Sequence, residues 1–303
     1  MQHISNYITR IKEFGLGFFF KYHVIGRIKG KRYKQSVVLD FVKKDLGNVN
    51  IEFKKGETHT NEGSDVQPIW VCWWQGEEQM PPIVNACYHS LLVNSNGHPV
   101  NLITKNNFSN YISLPPHIFS KLESHSISLT HFSDILRFAL LSEYGGLWVD
   151  STVFLTGKIP SVIPFFFTIH QECQDDNYVS DYRWTGYFIG GSKKNPLFTI
   201  IFSYYCNYWS KHNNIIDYYL MDYIIAAIME LSHNLCQMVD EVPMSNPDLQ
   251  FLLSHMDCPF DNDTMTTICC QTNYHKLSWK GSHNTVDPKG HITYYGKLLE
   301  SAK

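Results

Sequence analysis

Several features that mark common classes of protein are missing from this 303-residue sequence. None of its eight cysteines stands in a C-x-x-C pair, so their spacing fits neither a zinc site nor a disulfide framework. We expect them to be reduced core residues of a cytoplasmic protein. No apolar run approaches ~20 residues, so no membrane-spanning helix is expected. We expect no signal peptide, because the apolar run at 14–20 is short and lacks a small-residue cleavage site.

The sequence also lacks a glycine-rich loop after its first apolar run. The stretch WWQGEEQMPP, residues 73–82, contains one glycine and two prolines. A dinucleotide-type loop needs several glycines, so this stretch disfavours an α/β enzyme such as a methyltransferase. The net charge of −3 gives no reason to expect a nucleic-acid partner.

The charge is unevenly distributed along the chain. Residues 1–60 hold 12 Lys and Arg against 5 Asp and Glu, whereas the rest holds 13 against 23. Residues 1–46 have helical apolar spacing, and the stretch GRIKGKRYK at 26–34 is strongly basic. Two interpretations stay open: a helix on anionic inner-leaflet lipid, or a solvated basic helix packed on the domain. With a polar linker at 54–67, we predict a helical extension over 1–60 and a main domain over 65–303.

Beyond the linker, short apolar runs alternate with helical patterns. This order predicts an α/β fold with a mostly parallel sheet flanked by helices. Caps for the helix at 129–146 are predicted at Thr130 or Ser133, and its stop at Gly145 and Gly146. From about Asn246 onward the sequence predicts a loop-rich tail. The strands are predicted at 68–74, 98–105, 147–152, 164–171 and 183–191, and the helices at 81–94, 113–124, 129–146, 195–212 and 216–234.

The stretch GGLWVDST, residues 145–152, places an acid at the end of an apolar strand. In open α/β sheets ligands bind beyond the carboxyl ends of the strands, so Asp150 is expected to face a metal, a sugar hydroxyl or a cation. The alternative is that Asp150 caps the following turn. Asp134 and Arg137 share one helix face, either as an ion pair or as two groups that point into the same crevice.

Two further stretches carry candidate ligand groups. Of Trp73 and Trp74, one is expected in the core and the other against a flat ligand such as a base, although core packing of both is an alternative. The stretch HKLSWK at 275–280 offers hydroxyl, indole and ammonium donors that suit a diphosphate, unless it is a solvated basic loop. Its donors are Lys276, Ser278, Trp279 and Lys280.

Taken in order, IWVCWWQG, NACYHS, FSDILR, YGGLWVDST and HKLSWK resemble the capsular polysaccharide synthesis family of glycosyltransferases. That family is similar to the DXD-bearing glycosyltransferases that include a yeast mannosyltransferase and the large clostridial toxins. The resemblance covers about residues 65–285. It implies a GT-A-like, Rossmann-type fold, a nucleotide-sugar donor, in our expectation a UDP-hexose, and transfer with retention to a growing bacterial capsular or surface polysaccharide.

The resemblance also implies roles for individual residues. Trp74 would stack on the base of the donor, while Asp134 and Arg137 would hold its sugar. Asp150 would be the first acid of the DXD motif, and Ser278, Trp279 and Lys280 would bind the phosphates. Asp134 and Asp150 would be the catalytic pair.

This chain departs from the DXD pattern because Thr152 replaces the second acid. A hydroxyl is a poor ligand for a hard cation. Either Mn²⁺ or Mg²⁺ is held by Asp150 with other groups, or Arg137, Lys276 and Lys280 neutralise the diphosphate. A different hypothesis is a non-catalytic module that binds a nucleotide sugar or glycan through a degenerate site.

The acceptor is expected to be a glycan or a lipid-linked glycan, reached by an enzyme that is cytoplasmic and peripheral at the inner membrane. A polar segment follows the predicted strand at 164–171, and an acceptor base could lie there. The alternative for this segment is a solvated loop. Its titratable residues are His170, Glu172, Asp175 and Asp176.

Overall fold

The computed structural model describes residues 2–47 and 67–301. Its strands are β1 (Ile69–Cys72), β2 (Val100–Ile103), β3 (Gly146–Val149), β4 (Val153–Leu155), β5 (Phe166–Thr168), β6 (Phe188–Gly191) and β7 (Tyr274–Lys276). Its helices are α1 (Gln2–Phe14), α2 (Leu16–Phe19), α3 (Gly26–Lys29), α4 (Lys31–Leu46), α5 (Pro82–Asn94), α6 (Pro116–Glu123), α7 (Leu129–Tyr144), α8 (Pro196–Lys211), α9 (Leu220–Leu231), α10 (His233–Asp240), α11 (Phe251–Ser254), α12 (Asn262–Cys269) and α13 (Tyr294–Glu300). A π-helical segment, Phe20–Ile25, joins α2 to α3.

The main sheet has five strands in the order β2-β1-β3-β6-β5. Strand β1 pairs in parallel with β2 and β3, whereas β6 pairs antiparallel with β3 and β5. Four strands of this sheet therefore run in one direction and β6 runs against them. The predicted α/β class with a mostly parallel sheet is confirmed. Strands β4 and β7 form a separate antiparallel ribbon.

Helices cover both faces of the main sheet. Successive residues of a strand point to opposite faces. Accordingly, Trp70 belongs to a buried cluster with Phe138 of α7, whereas Ile69 and Val71 belong to another with Leu91 of α5. Burial on both faces explains why the strands read as continuous apolar runs rather than as alternating ones.

Two local predictions are wrong. Helix α7 is capped by Ser128, whose hydroxyl accepts from the backbone N–H of His131 at 3.3 Å, so Thr130 and Ser133 lie inside the helix. Strand β1 stops at Cys72, which leaves both tryptophans of the WW pair in the turn beyond it. The loop-rich tail predicted after Asn246 is confirmed, although it also holds β7, which pairs with β4, and the short helices α11, α12 and α13.

The N-terminal helices pack onto the rest of the molecule. Val38 and Val42 of α4 are fully buried in the cluster that contains α8 and α9, and Phe14 of α1 joins it. Lys43 forms an ion pair with Glu230 at 2.8 Å. The predicted boundary between 60 and 65, like most of the predicted linker, lies outside the described residues, and the division into 1–60 and 65–303 stays a prediction. No helix in the described part of the chain has the length and apolar character needed to cross a bilayer.

Candidate active site

Two glycines connect the end of α7 to the start of β3. Gly145 ends α7 with φ 68°, and Gly146 opens β3 with φ 91°. A Cβ atom on Gly146 would lie 2.0 Å from the carbonyl oxygen of Pro68. Glycine at this position therefore allows β3 to run close beside β1. Asp150 directly follows the last residue of β3, and its N–H donates to the carbonyl of Tyr187 at 2.8 Å.

Both carboxylate oxygens of Asp150 have partners. Oδ1 accepts from Trp148 Nε1 at 2.8 Å and from Arg137 Nη2 at 3.3 Å, and Oδ2 accepts from Lys276 Nζ at 3.3 Å. Burial opposes ionisation of Asp150, but the two cations and the indole outweigh it, so its pKa is below the ordinary value. Asp150 is thus an ionised carboxylate held between two positive charges.

Arg137 joins the two acids of the site. Its Nη1 donates to Asp134 Oδ1 at 2.7 Å while its Nη2 reaches Asp150, and the residue is 4% exposed. The guanidinium also lies 5.0 Å from the centre of the Trp148 ring. Burial raises the pKa of Asp134, although Arg137 and His131 oppose the shift. Of the two alternatives that the sequence presented, the structure shows the ion pair between Asp134 and Arg137.

Lys276 reaches the site from the far end of the sequence. Pairing of Val153 with Lys276 in the β4–β7 ribbon places the lysine beside the turn after β3. Its Nζ donates to Thr152 Oγ1 at 2.5 Å, in addition to Asp150, and lies 4.9 Å from the Tyr187 ring centre. The hydroxyl of Thr152 is therefore bound by a cation at the position where the DXD pattern has its second acid.

The side chains around Asp150 do not fit a divalent metal. Asp150 already receives hydrogen bonds on both oxygens, and Thr152 offers a hydroxyl that accepts from an ammonium. In the described ranges, no three residues among His, Cys, Asp and Glu are grouped so that they could hold a metal ion. A hard cation requires several oxygen ligands, which this donor set does not supply.

The predicted base-stacking residue, Trp74, packs against other aromatic rings. Trp74 is half-buried against Phe132 and Phe108, with ring centres 5.0 and 5.3 Å away. Trp73 instead meets Trp279 edge to face at 6.1 Å. The turns after β1 and β7 therefore approach each other through two tryptophans.

The remaining predicted phosphate ligands follow Lys276 on the same loop. Ser278 Oγ accepts from the N–H of Lys280 at 3.1 Å, and its hydroxyl hydrogen is left for another acceptor. Trp279 is 50% exposed and Lys280 is exposed. These three residues follow Lys276 by two to four positions, and Trp279 and Lys280 are accessible to solvent.

The polar segment after β5 lies largely at the surface. His170 is half-buried and its Nδ1 contacts the Val242 carbonyl at 2.6 Å. Glu172, Asp175 and Asp176 are exposed, and Asp175 is bound by the side chains of Asn177 and Tyr182. This arrangement matches the solvated-loop interpretation of the segment.

Other residues of the site were missed from the sequence. Trp148 looked like a packing residue only, yet its indole binds Asp150. Asp222, in the first turn of α9, accepts from Trp184 Nε1 at 2.8 Å, and burial raises its pKa to about 7. An acid inside the otherwise apolar run LMDYIIAAIM was the signal that could have identified it.

The chain is similar in sequence and in structure to known proteins. The family model described as "Capsular polysaccharide synthesis protein" matches residues 22–298. A solved apo structure of the bifunctional glycosyltransferase WbbM is similar at 10% identity with a TM-score of 0.43, over 80% of this chain and 50% of that chain. The chain thus spans about half the length of that structure. No curated protein matches the sequence.

Proposed function

Because the chain belongs to the capsular polysaccharide synthesis family, we propose that it is a glycosyltransferase acting on a growing capsular or surface polysaccharide. Its donor would be a nucleotide-diphosphate hexose, with UDP as the nucleotide. The observation that carries this proposal is the chain of contacts Asp134–Arg137–Asp150–Lys276 at the carboxyl edge of the sheet. Ligands of open α/β sheets bind at this edge.

The charges in the site suit the chemistry of glycosyl transfer. The bond from the anomeric carbon to the diphosphate oxygen breaks, so negative charge grows on the leaving group while positive charge grows on the sugar. Lys276, with Ser278, Trp279 and Lys280, would stabilise the diphosphate. Asp150 and Asp134 would lie near the sugar. Their fixed positions in a buried network provide the preorganisation that electrostatic catalysis requires.

We propose that the reaction retains the anomeric configuration by front-face attack. The acceptor hydroxyl oxygen bonds to the anomeric carbon as the diphosphate departs, and the hydroxyl proton passes to the departing phosphate oxygen. Donor and acceptor must then share one face of the sugar. This scheme needs no protein nucleophile, which agrees with the ion-paired state of Asp150.

Lys276, in strand β7 of the ribbon, would supply the positive charge that a divalent metal supplies in other enzymes. An ammonium that already binds Asp150 and Thr152 can turn its remaining N–H groups toward a phosphate. A metal would have to displace this ammonium from the same oxygens. We therefore propose that turnover does not depend on added Mn²⁺ or Mg²⁺. Trp74 would stack on the base from its half-buried position.

We also propose that the protein is a bacterial cytoplasmic enzyme that binds anionic lipid of the inner membrane and is therefore peripheral. Every fourth residue from Leu16 to Ile28 is apolar and exposed. This exposed apolar row consists of Leu16 (68%), Phe20 (53%), Val24 (43%) and Ile28 (85%). The same helices carry exposed Lys21 and Lys29. An apolar face flanked by cations is the pattern of an interfacial helix.

A panel of nucleotide sugars tests the function. We expect the folded protein to hydrolyse at least one donor slowly without acceptor, and Asp150→Asn to abolish this hydrolysis. If the folded protein neither binds nor hydrolyses any donor, the proposal that it is a glycosyltransferase is refuted.

Both carboxylate oxygens of Asp150 already accept hydrogen bonds, and Thr152 stands where the DXD pattern has its second acid. These two observations favour one competing candidate, a non-catalytic module that binds a nucleotide sugar or glycan. Thr152→Asp distinguishes the two. An inert wild type whose Thr152→Asp variant gains metal-dependent turnover would support the module, whereas an active wild type excludes it.

A further inference from the structure

A cavity lies between the N-terminal helices and the start of α9. Its volume is about 630 Å³. Cationic, aromatic and amide side chains line it. The residues that carry the argument are Arg27, Lys31, Lys34, Gln35, Asp217 and Tyr218. No residue of the candidate active site lines this cleft.

The cleft is positively charged. Arg27, Lys31 and Lys34 contribute three cations, and within the described residues none of them is ion-paired with a carboxylate. Lys34 instead lies 5.7 Å from the ring centre of Tyr22. The carboxylate in the lining, Asp217, is occupied by the Tyr22 hydroxyl at 3.4 Å and the Tyr219 N–H at 2.9 Å. Such a lining suits a phosphate or diphosphate.

One buried polar group of the cleft is unsatisfied. Gln35 is 7% exposed, and its Nε2 donates to the carbonyls of Asp176 and Asn177 at 3.2 Å each. Its Oε1 is buried and accepts no hydrogen bond from the described residues. A buried acceptor without a donor is costly unless a ligand supplies one. A sugar hydroxyl is such a donor.

Tyrosines connect the cleft to the active site. Tyr218 is 61% exposed, lines the cleft, and packs edge to face on His131 at 5.6 Å. His131 stands three residues before Asp134 on α7. Burial raises the pKa of Tyr218, and the charges of Asp134 and Asp150 add to the shift. Exposed aromatic rings are surfaces on which sugars pack. The cleft therefore opens beside the proposed position of the donor sugar.

We propose that this cleft holds the diphosphate and the adjoining sugar of a glycosyl diphosphate acceptor, an inference that rests on the proposed function. The cations bind the phosphates, Gln35 Oε1 accepts from a sugar hydroxyl, and Tyr218 and Tyr219 guide the glycan toward Asp150. The diphosphate of the acceptor stays intact, since only its distal hydroxyl forms the new bond. The exposed apolar row lies on the same helices, so a lipid attached to this diphosphate could remain in the bilayer.

Vesicle binding tests the proposal. The probes are phosphatidylcholine vesicles that contain polyprenyl diphosphate, vesicles that contain phosphatidylglycerol at equal charge, and soluble inorganic pyrophosphate. We expect the wild type to prefer the diphosphate vesicles, with pyrophosphate as a competitor. Arg27→Ala/Lys34→Ala is expected to weaken this binding about tenfold or more, because each charged hydrogen bond contributes substantially. The matched variant Lys158→Ala/Lys289→Ala removes two exposed cations elsewhere and should bind like the wild type.

The outcomes separate this inference from the function itself. Equal binding to both charged vesicles together with no binding of pyrophosphate, or equal effects of the two double variants, would overturn it. Binding of pyrophosphate without preference for diphosphate vesicles would overturn the lipid source and leave a free glycosyl diphosphate as the ligand. Circular dichroism and the thermal midpoint verify folding of each variant. Donor hydrolysis by the wild type is measured separately. Its absence would refute the proposed glycosyltransferase activity, but it would not refute binding of a diphosphate in the cleft.

Discussion

Lys276 donates a 2.5 Å hydrogen bond to Thr152, and the same ammonium contacts Asp150 at 3.3 Å. One side chain thus joins the two positions at which DXD enzymes have acids. The ribbon pairing of Val153 with Lys276 fixes this arrangement. A threonine that looks like a lost ligand in the sequence is a partner of a lysine in the fold.

Replacing Lys276 by methionine should lower kcat for donor hydrolysis by about 10²–10³-fold, because an oriented charge at the leaving group is lost. Lys276→Arg should restore part of the activity, and Lys158→Met serves as the surface control. Steady-state kinetics with and without EDTA provide the measurement. Complete loss of wild-type activity in EDTA, with recovery in Mn²⁺, would contradict the proposed role of the lysine.

Replacing Arg137 by methionine should destabilise the fold by about 3–5 kcal/mol, because Asp134 and Asp150 would lose a shared buried cation. Arg137→Lys keeps a charge and should cost less. Urea unfolding gives both free energies. A change below about 0.5 kcal/mol, the size typical of surface substitutions, would show that the ion pairs contribute little to stability.

Gly146→Ala should be far more damaging than Gly97→Ala. Both glycines have φ near 90°, at 91° and 88°. A Cβ on Gly97 meets nothing within 4 Å, whereas one on Gly146 meets the Pro68 carbonyl. Backbone strain alone costs about 1–2 kcal/mol, so Gly97→Ala isolates that contribution. Thermal unfolding of both variants measures the difference, and equal costs would rule out a steric role for Gly146.

The raised pKa of Asp222 predicts a pH-dependent stability. Burial raises it to about 7 from 3.8, so between these values the folded protein binds more protons than the unfolded chain. Stability should therefore fall as the pH rises through this window, by about 4 kcal/mol at most. Asp222→Asn should remove this decline. Urea unfolding at several pH values between 4 and 8 tests the prediction, which fails if wild type and variant show parallel profiles.

The double variant Phe20→Ser/Ile28→Ser should reduce binding to anionic vesicles by about a hundredfold or more, since burial of each large apolar side chain contributes about 1.5–3 kcal/mol. Val93→Ser/Val286→Ser removes two apolar side chains of similar exposure elsewhere and is the control. Cosedimentation with phosphatidylglycerol vesicles is the measurement. If both variants pellet equally with the vesicles, the exposed apolar row does not contribute to membrane binding.

Local sequence patterns predicted much of the sheet and half of the site. The apolar run ending at Asp150, the glycine pair and the Asp134–Arg137 spacing are all contained in residues 134–150, where helix and strand periodicity apply. Lys276 was only one of several candidates because its position depends on a strand pairing 126 residues away from Asp150. The indole of Trp148 escaped notice because an apolar strand pattern does not reveal the direction of one N–H group.

The β4–β7 ribbon has a consequence for how this protein becomes active. Asp134, Arg137 and Asp150 are synthesised long before Lys276, and the ribbon closes a loop of more than a hundred residues. Contacts so distant in sequence form late in folding. Until the ribbon forms, Asp150 lacks one of its two cations, and residues 278–280, the proposed diphosphate ligands, are not yet held beside β7. The proposed transferase activity therefore depends on the last folding steps, and we expect a nascent chain, or a form cleaved before Lys276, to lack it.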